Sequence, residues 1–294
     1  MRKITVIGAG YVGSSIAYSL MLIEAAEEIA LVDVNPVAVN AEVADIRPGL
    51  SAISPSKVYR GSYADTADSD IVIVTAGVSR KPNESRLDLI GKNAAVARDI
   101  AQNLKANNAR GIVVVVSNPV DVITRIFAEE LNELSGRVFG TGCILDSARF
   151  RSVLADYLNV SESSVQAFVA GEHGAGQVPL WSLVRIDGKP AELPETAKQK
   201  IAAKVANTGA EIIAGKGRTH YGIAGCVAYI VNEMKEHHQT LMSLTYPVPE
   251  NRVCVSRPCL LTENGVKEIE VCLSEEEQTL INQAAMKLEE VTSG

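Results

Sequence analysis

The sequence lacks basic runs, long apolar runs and any regular cysteine spacing. Its 28 lysine and arginine residues are outnumbered by 35 aspartate and glutamate residues, which gives a formal net charge of −7. Binding of nucleic acid requires a basic surface, so we expect no nucleic-acid partner. The longest apolar runs are too short or too interrupted to span a bilayer, so we expect no membrane association. The opening MRKITVIGAG has only a brief apolar run before its glycines, which favours a buried first strand over a secretory signal.

Cysteine is scarce and irregularly placed. The five cysteines form no C-x-x-C pair, so the sequence encodes neither a disulfide framework nor a zinc site, and we expect no bound metal. This usage is typical of a reducing compartment, which predicts a cytoplasmic protein with buried thiols. The cysteines are Cys143, Cys226, Cys254, Cys259 and Cys272.

The first half of the chain alternates Val/Ile-rich runs with amphipathic segments. Continuous runs of this kind are typical of strands buried on both faces, and helical patterns lie between them. Residues 1–143 are therefore predicted to form a doubly wound parallel sheet of the Rossmann type. The predicted strands are Ile4–Ile7, Ile29–Val34, Ile71–Thr75 and Ile112–Val116, and the predicted helices include Val12–Leu22 and Leu87–Lys105.

The pattern changes after about residue 145. Residues 144–294 mix helices with antiparallel strand signals, which predicts a separate α+β unit. Its predicted elements are a helix at Ser147–Leu158, a strand near Val165–Ala170, a helical stretch from Glu195 to Glu236 broken at residues 215–217, a hairpin turning at residues 263–265, and a last helix to about Glu290 with Ser274 and Glu277 as its capping box.

A glycine-rich motif, GAGYVG, directly follows the first predicted strand. Gly8 permits a tight turn, Gly10 admits a pyrophosphate, and Gly13 lets helix and strand pack closely. Asp33 lies about 20 residues further on, where a carboxylate binds ribose hydroxyls and repels a 2′-phosphate. We therefore assign these residues and Val12 to a site for NAD rather than NADP. The alternative is a glycine-rich turn without a ligand.

Five segments in order make the sequence similar to the L-lactate/malate dehydrogenase family. They are GAGYVG, LVDVN, TAGVSRKPNESRLDL, SNPVDV and ILDSARFR followed by GEHG. The resemblance covers nearly the whole chain. It implies an NAD-dependent oxidoreductase that interconverts a small L-2-hydroxy acid and its 2-keto acid by hydride transfer, with proton transfer by a His–Asp pair.

The resemblance also implies the catalytic residues. His173 matches the acid–base histidine, and imidazole suits proton transfer near neutral pH. Asp146 matches its carboxylate partner, which raises the pKa of the imidazole. Arg149 matches the arginine that binds the substrate carboxylate in a bidentate manner. Arg86, in a polar stretch that resembles a lid, matches the arginine that polarises the substrate carbonyl.

Further residues are assigned to the cofactor through the same resemblance. Asn118 matches a residue that hydrogen-bonds the reacting oxygen and helps seat the nicotinamide, and Ser117 precedes it. Thr75, Ala76 and Gly77 follow a predicted strand and are expected to pass beneath the cofactor. Both segments follow carboxyl ends of parallel strands, where such sheets bind ligands.

Two signals disagree on the substrate. Arg80 stands at the lid position where an arginine is typical of malate enzymes, since it can pair with a second carboxylate. Thr219 matches a threonine of lactate-type members and would shorten the pocket, and the segment with Trp181 is also lactate-like. Because a lid arginine can turn toward solvent, we expect L-lactate and pyruvate as the substrates, with malate and oxaloacetate as the alternative.

The sequence departs from the family at two places. Ala175 replaces the usual aspartate after GEHG, so one polar group near the base is missing. Many bacterial lactate enzymes are activated by fructose 1,6-bisphosphate through an arginine and a histidine. Arg151 matches the arginine, whereas Gln166 stands in place of the histidine, so the sequence leaves this activation open.

Two other functions compete with this interpretation. NAD-dependent glycosidases share a similar dinucleotide fold, but they need a metal site of cysteine and histidine, and Cys143 has no histidine near it in sequence. A non-catalytic dinucleotide sensor would keep the glycine-rich motif without the catalytic set. By analogy with lactate-type relatives we expect a homo-oligomer, with a tetramer favoured.

Overall fold

An eleven-stranded sheet extends through both halves of the chain. The computed structural model describes residues 1–78, 86–134, 136–247 and 253–293, without the side chains of residues 86–88 and 291–293. Within those ranges no helix has the length and apolar character needed to cross a membrane.

The first half forms the parallel part of this sheet, in the order β3-β2-β1-β4-β5-β6. This order is that of the Rossmann fold, so the predicted doubly wound sheet is confirmed. The strands are β1 (Lys3–Ile7), β2 (Glu28–Val32), β3 (Lys57–Arg60), β4 (Ile71–Val74), β5 (Ile112–Val115) and β6 (Val138–Gly140). The helices are α1 (Tyr11–Leu22), α2 (Pro36–Leu50), α3 (Arg86–Ala106) and α4 (Val120–Glu130).

Burial explains which of these strands the sequence predicts. Every residue of β1, β4 and β5 is buried, and a run of apolar residues is the mark of such strands. The prediction missed β3 and β6. In β3 only Val58 is buried, and β6 has only three residues, so neither leaves a clear apolar run.

The second half is α+β, as predicted. Its strands pair antiparallel with one another. The helices are α5 (Ile144–Leu158), α6 (Glu195–Lys216), α7 (Tyr221–Lys235) and α8 (Glu275–Ser293). The strands are β7 (Val165–Gln166), β8 (Val169–Gly171), β9 (Gln177–Pro179), β10 (Arg185–Ile186), β11 (Lys189–Pro190), β12 (Thr240–Tyr246), β13 (Val255–Thr262) and β14 (Gly265–Glu268).

The two halves share one sheet and part of one core. Gly140 of β6 pairs with Thr245 of β12, so one sheet continues from the first half into the second. Leu20 of α1 and Ile230 of α7 also belong to one buried apolar cluster. Because the sheet and this core are shared, the halves are held in a fixed arrangement.

One local prediction in the second half was wrong, and one strand was not predicted. The strand expected at Val165–Ala170 is split, since β7 pairs with β10 in a small sheet whereas β8 joins the large one. The strand β12 was missed because its sequence, TLMSLTY, interrupts the apolar run with hydroxyl groups. These hydroxyls are buried but satisfied: Ser243 donates to the Val169 carbonyl over 2.5 Å. Buried polar groups are tolerated where they find partners.

The predicted hairpin and capping box are confirmed. The strands β13 and β14 enclose a two-residue turn, with Thr262 paired to Gly265. At the start of α8, the Glu277 carboxylate accepts from the Ser274 N–H over 2.9 Å, and Ser274 Oγ accepts from the Glu277 N–H over 3.2 Å. Glu277 also accepts from the N–H and hydroxyl of Ser182. Although burial opposes it, these hydrogen bonds lower the pKa of Glu277. One carboxylate thus fastens α8 to the segment after β9.

We expect Glu277→Gln to lower the free energy of unfolding by about 1–3 kcal/mol, because one of the two acceptor oxygens becomes a donor facing donors. A carboxylate with a lowered pKa stabilises the fold above its ordinary pKa and loses that contribution as the pH falls through the folded value. Denaturant unfolding at neutral pH measures the difference. Glu276→Gln, on the exposed neighbour, is the matched control, and equal effects of the two changes would contradict this role for Glu277.

Candidate active site

The glycines of the GAGYVG motif divide into two that are packed and one that is open. Gly8 has φ +105°, and a Cβ there would lie 2.6 Å from the Ala76 nitrogen. A Cβ on Gly13 would lie 1.8 Å from the Gly8 carbonyl oxygen. At Gly10 a Cβ would meet nothing within 4 Å. The outer glycines therefore permit close packing, and the middle one leaves room above the backbone.

The N-terminus of α1 borders this open space. Gly10 is its N-cap, with no side-chain cap and no acidic residue in the first turn. The free N–H groups and the helix dipole favour an anion at this position. Val12 lies in the same turn and is partly buried. An open backbone at an uncapped helix start fits the pyrophosphate of a dinucleotide.

Asp33 lies at the end of β2, beside this loop. Its carboxylate accepts from the Ala9 N–H over 2.7 Å and from the Asn35 N–H over 2.8 Å. The sequence indicated a role toward ribose hydroxyls and did not indicate these bonds. Since a carboxylate offers about four lone-pair sites, Asp33 can hold the loop and still accept from a ligand.

The segments after β4 and β5 are tied to the loop and to each other. The Thr75 hydroxyl donates to the Gly8 carbonyl over 3.0 Å. The Ser117 hydroxyl donates to the Ala76 carbonyl over 2.6 Å. Asn118 is exposed, and its Oδ1 accepts from the Val120 N–H over 3.3 Å. These predicted cofactor residues therefore lie together at the carboxyl edge of the parallel sheet, where ligands bind in such folds.

Asn93 of α3 is a site residue that sequence reasoning missed. It is buried, its Oδ1 accepts from the Val78 N–H over 2.8 Å, and its Nδ2 donates to the Asn118 carbonyl over 2.8 Å. A Cβ on Gly77 would lie 3.2 Å from this Oδ1. Asn93 thus connects the segment after β4 to the segment after β5, the two segments predicted to contact the cofactor. Its place on an ordinary helical pattern gave no signal for this role.

The structure brings His173, Asp146 and Arg149 together. His173 follows β8, and its Nδ1 lies 2.6 Å from Asp146 Oδ2. Arg149, one turn further along α5, donates to Asp146 Oδ1 over 3.2 Å. The Asp146 side chain is only 3% exposed, whereas that of His173 is 26% exposed. The imidazole therefore has one nitrogen bound to a buried carboxylate and the other available to a ligand.

The charges of this cluster shift both pKa values. Burial opposes the charged imidazole, but the hydrogen bond and the charge of Asp146 outweigh it and raise the pKa of His173. Burial likewise opposes ionisation of Asp146, but His173 and Arg149 lower its pKa. Each group thus stabilises the charged form of the other. The arrangement suits a group that exchanges a proton near neutral pH.

The space around Arg149 is shaped by α6. A Cβ on Gly209 would lie 3.5 Å from an Arg149 terminal nitrogen, so this glycine leaves room for the guanidinium. The Arg149 side chain is 15% exposed. Thr219 lies between α6 and α7 and is partly buried. A shielded guanidinium at such a site can bind a carboxylate in a bidentate manner.

Asp121 is a second buried carboxylate that sequence reasoning missed as a site residue. Its Oδ2 accepts from the His173 backbone N–H over 2.9 Å, and its Oδ1 accepts from the Thr245 hydroxyl over 2.6 Å. Burial raises the pKa of Asp121 to about 6, although both hydrogen bonds oppose the rise. Asp121 lies three residues after Asn118, in the segment after β5. Its hydrogen bond therefore joins the loop that carries His173 to that predicted cofactor segment. Its only sequence signal is its place within SNPVDV.

A chain of hydroxyls continues behind Asp121. The Cys143 N–H donates to Ser256 Oγ over 2.9 Å, and Ser256 Oγ lies 2.9 Å from Thr245 Oγ1. Because Thr245 gives its proton to Asp121, Ser256 is the donor to Thr245. Gly142 has φ +48°, and a Cβ there would lie 2.2 Å from Ser256 Oγ. The fold therefore makes room for this chain with a glycine.

The remaining predicted residues are placed as follows. Arg80 and the side chain of Arg86 lie outside the described residues. Gln166 is exposed on β7, Ala175 is exposed after His173, and Arg151 donates to the Ala167 carbonyl over 3.5 Å. In the described ranges no three His, Cys, Asp or Glu side chains form a group that could hold a metal ion.

A Rossmann sheet with an open phosphate site, next to a carboxylate-bound histidine, defines a dinucleotide-dependent enzyme with acid–base chemistry. Two family models match the chain. The lactate/malate dehydrogenase NAD binding domain matches residues 2–140, and the lactate/malate dehydrogenase alpha/beta C-terminal domain matches residues 143–293. The chain belongs to the lactate/malate dehydrogenase family, so the predicted resemblance is confirmed.

Individual relatives are of the lactate type. The chain is 36% identical to an L-lactate dehydrogenase of Acetivibrio thermocellus, covering 99% of this chain and 96% of the relative. It is 38% identical to L-lactate dehydrogenase 3 of Bacillus thuringiensis, covering 95% and 93%. The crystal structure of the minor L-lactate dehydrogenase from Enterococcus mundtii matches with a TM-score of 0.94 at 34% identity, covering 99% of this chain and 97% of that one.

We expect Asp121→Asn to lower kcat/KM by about 10- to 100-fold, because the backbone of His173 loses a charged acceptor and the imidazole shifts. The pKa of Asp121 is raised from 3.8 to about 6 in the folded protein. The folded state therefore binds an extra proton in that window, and the free energy of unfolding falls as the pH rises through it. Asp121→Asn removes this part of the pH dependence.

Steady-state kinetics measures kcat/KM. Denaturant unfolding at several pH values between about 4.5 and 7, where the folded and unfolded forms of Asp121 differ in protonation, measures the pH dependence of stability. Thr245→Ser keeps the hydroxyl donor and is the matched control. An Asp121→Asn variant with unchanged kcat/KM would show that this carboxylate does not position the histidine.

Proposed function

We propose that this chain catalyses the NAD-dependent interconversion of L-lactate and pyruvate, with His173 as the acid–base group. The observation that carries the proposal is the hydrogen bond from the His173 N–H to Asp121. This hydrogen bond holds the loop that carries His173 against the segment after β5, which contains Asn118. It supports a role for His173 in proton transfer to a substrate bound beside the cofactor. The family match and the lactate-type relatives support the reaction and the substrate.

The proton step follows from the geometry. Asp146 binds Nδ1 of His173, so Nε2 is the atom that exchanges a proton with the substrate oxygen. In the direction of pyruvate reduction, the imidazolium donates this proton to the carbonyl oxygen. Asp146 remains ionised and stabilises the imidazolium charge. In the direction of lactate oxidation, neutral His173 accepts the hydroxyl proton.

The other residues position the reactants. Arg149 binds the substrate carboxylate, and Arg86 polarises the carbonyl, as the family resemblance implies. Residues 1–143 hold the cofactor, through Gly8, Gly10 and Asp33 among others, whereas residues 144–294 supply the substrate site. NAD supplies the two-electron redox chemistry when it is bound. Thr219, between α6 and α7, shortens the substrate site, as the family resemblance implies.

The malate alternative rested on Arg80 and is not favoured, because the relatives described above are L-lactate dehydrogenases. We expect kcat/KM with NADH to be at least about tenfold higher for pyruvate than for oxaloacetate. His173→Asn should lower pyruvate turnover by about 10³-fold through loss of the proton donor, with NADH binding retained. Absorbance of NADH at saturating cofactor measures turnover. A faster reaction with oxaloacetate would reverse the substrate assignment.

We further propose a cytoplasmic homotetramer. Helix α6 supports association, since Ala197, Ile201 and Val205 of its first turns are buried within the chain, whereas Ile213 near its end is 51% exposed. The first turns thus cover the core and the last turns leave apolar surface for a neighbour. Light scattering in solution is expected to give four times the chain mass of 31.3 kDa, and a monomer mass would contradict the proposal.

A further inference from the structure

The segment between α6 and α7 carries two cations that pack on aromatic rings beside the glycine-rich loop. The Arg218 guanidinium carbon lies 3.7 Å from the centroid of the Tyr11 ring. Lys216 Nζ lies 4.2 Å from the centroid of the Tyr221 ring. The centroid of the His220 ring lies 4.0 Å from the centroid of the Tyr221 ring and 5.9 Å from the centroid of the Tyr11 ring. We call these five residues the cation–aromatic cluster.

The position of the cluster is fixed from both sides. Tyr11 is the first residue of α1, so its ring stands at the helix start that borders the open space over Gly10. On the other side, α6 ends with Gly217 at φ +80°, and α7 begins at Tyr221. Since α7 shares a buried core with α1, this segment is fixed beside α1. The exposed Arg218 guanidinium packs on the first residue of α1, and the exposed Lys216 ammonium packs on the first residue of α7.

Among the described residues, the cluster concentrates positive charge without a compensating acid. Across the described parts of the chain, no carboxylate forms an ion pair with Lys216 or Arg218. Partial burial lowers the pKa of His220, and the charges of Lys216 and Arg218 lower it further. The start of α1 adds the positive end of a helix dipole. In a chain with a net charge of −7, a cation pair that no described carboxylate neutralises favours an anionic ligand.

We propose that Arg218, assisted by Lys216, binds the pyrophosphate of the dinucleotide beside the N-terminus of α1. The pyrophosphate is a dianion, and a guanidinium matches phosphate oxygens in a bidentate manner. Stacking on Tyr11 orients the guanidinium plane and reduces the entropy that its ordering would cost. The cofactor is then held by both halves of the chain, by α1 from the first and by the α6–α7 segment from the second.

This inference rests on the proposed NAD-dependent function but is tested by binding alone. Arg218→Ala is expected to raise the Kd for NADH about tenfold, because it removes a solvent-facing, charge-assisted contact to the phosphates. ADP-ribose, which has the pyrophosphate and lacks nicotinamide, should lose affinity by the same factor. Lys216→Ala should have a smaller effect in the same direction, and Arg218→Lys an intermediate one. Fluorescence titration of NADH and calorimetry of ADP-ribose measure these constants.

Two controls make the result specific. Arg110→Ala removes an exposed arginine at the opposite edge of the sheet, before β5, and is expected to leave the Kd for NADH unchanged. Tyr11→Phe keeps the stacking ring, whereas Tyr11→Leu removes it and should weaken NADH binding. Raising the salt concentration should weaken NADH binding to the wild type more steeply than to Arg218→Ala, since a charge contact is screened.

Several outcomes would overturn the inference. An Arg218→Ala variant with a Kd for NADH within about twofold of wild type removes Arg218 from the cofactor site. Weaker NADH binding with unchanged ADP-ribose binding places Arg218 at the nicotinamide end instead. A change confined to the KM for pyruvate would make it a substrate residue. Failure of the wild type itself to bind NADH would instead refute the proposed function, and this inference with it.

Discussion

The position of His173 between two buried carboxylates is the constraint on which the site depends. Asp146 binds the ring and Asp121 binds the backbone N–H of the same residue. The two carboxylates differ in their environment. Asp146 is compensated by two cationic partners, and its pKa is lowered, whereas Asp121 has only neutral donors and its pKa is raised to about 6. The contact between Asp146 and the ring sets the pKa of the imidazole. The contact between Asp121 and the backbone N–H sets where His173 lies in the site.

The cost of burying Asp121 explains features elsewhere in the fold. A buried carboxylate must accept hydrogen bonds, and Thr245 supplies one from β12, the strand that joins the two halves. Ser256 on β13 orients Thr245 in turn. Gly142 lacks the side chain that would collide with Ser256. Polar residues in the middle of the sheet, which weaken the apolar pattern of β12, are therefore part of the support of the catalytic loop.

The sequence predicted those features that depend on neighbours in the chain. The buried parallel strands, the glycine-rich motif and the Ser274–Glu277 capping box each have a local pattern, and each is found in the structure. Asp121 and Asn93 could not be found this way. The hydrogen bond between His173 and Asp121 spans 52 positions, and that between Thr245 and Asp121 spans 124. Which carboxylate meets which donor over such separations follows from tertiary packing, and a single sequence carries no pattern for it.

The continuous sheet also determines how the molecule loses its structure. Pairing of β6 with β12 and the core common to α1 and α7 join the two halves on either side of residues 143 and 144. A chain severed there would expose apolar flanks on both fragments, and each fragment would tend to aggregate. We therefore expect the cofactor half and the substrate half to lose their structure together on melting, rather than in turn.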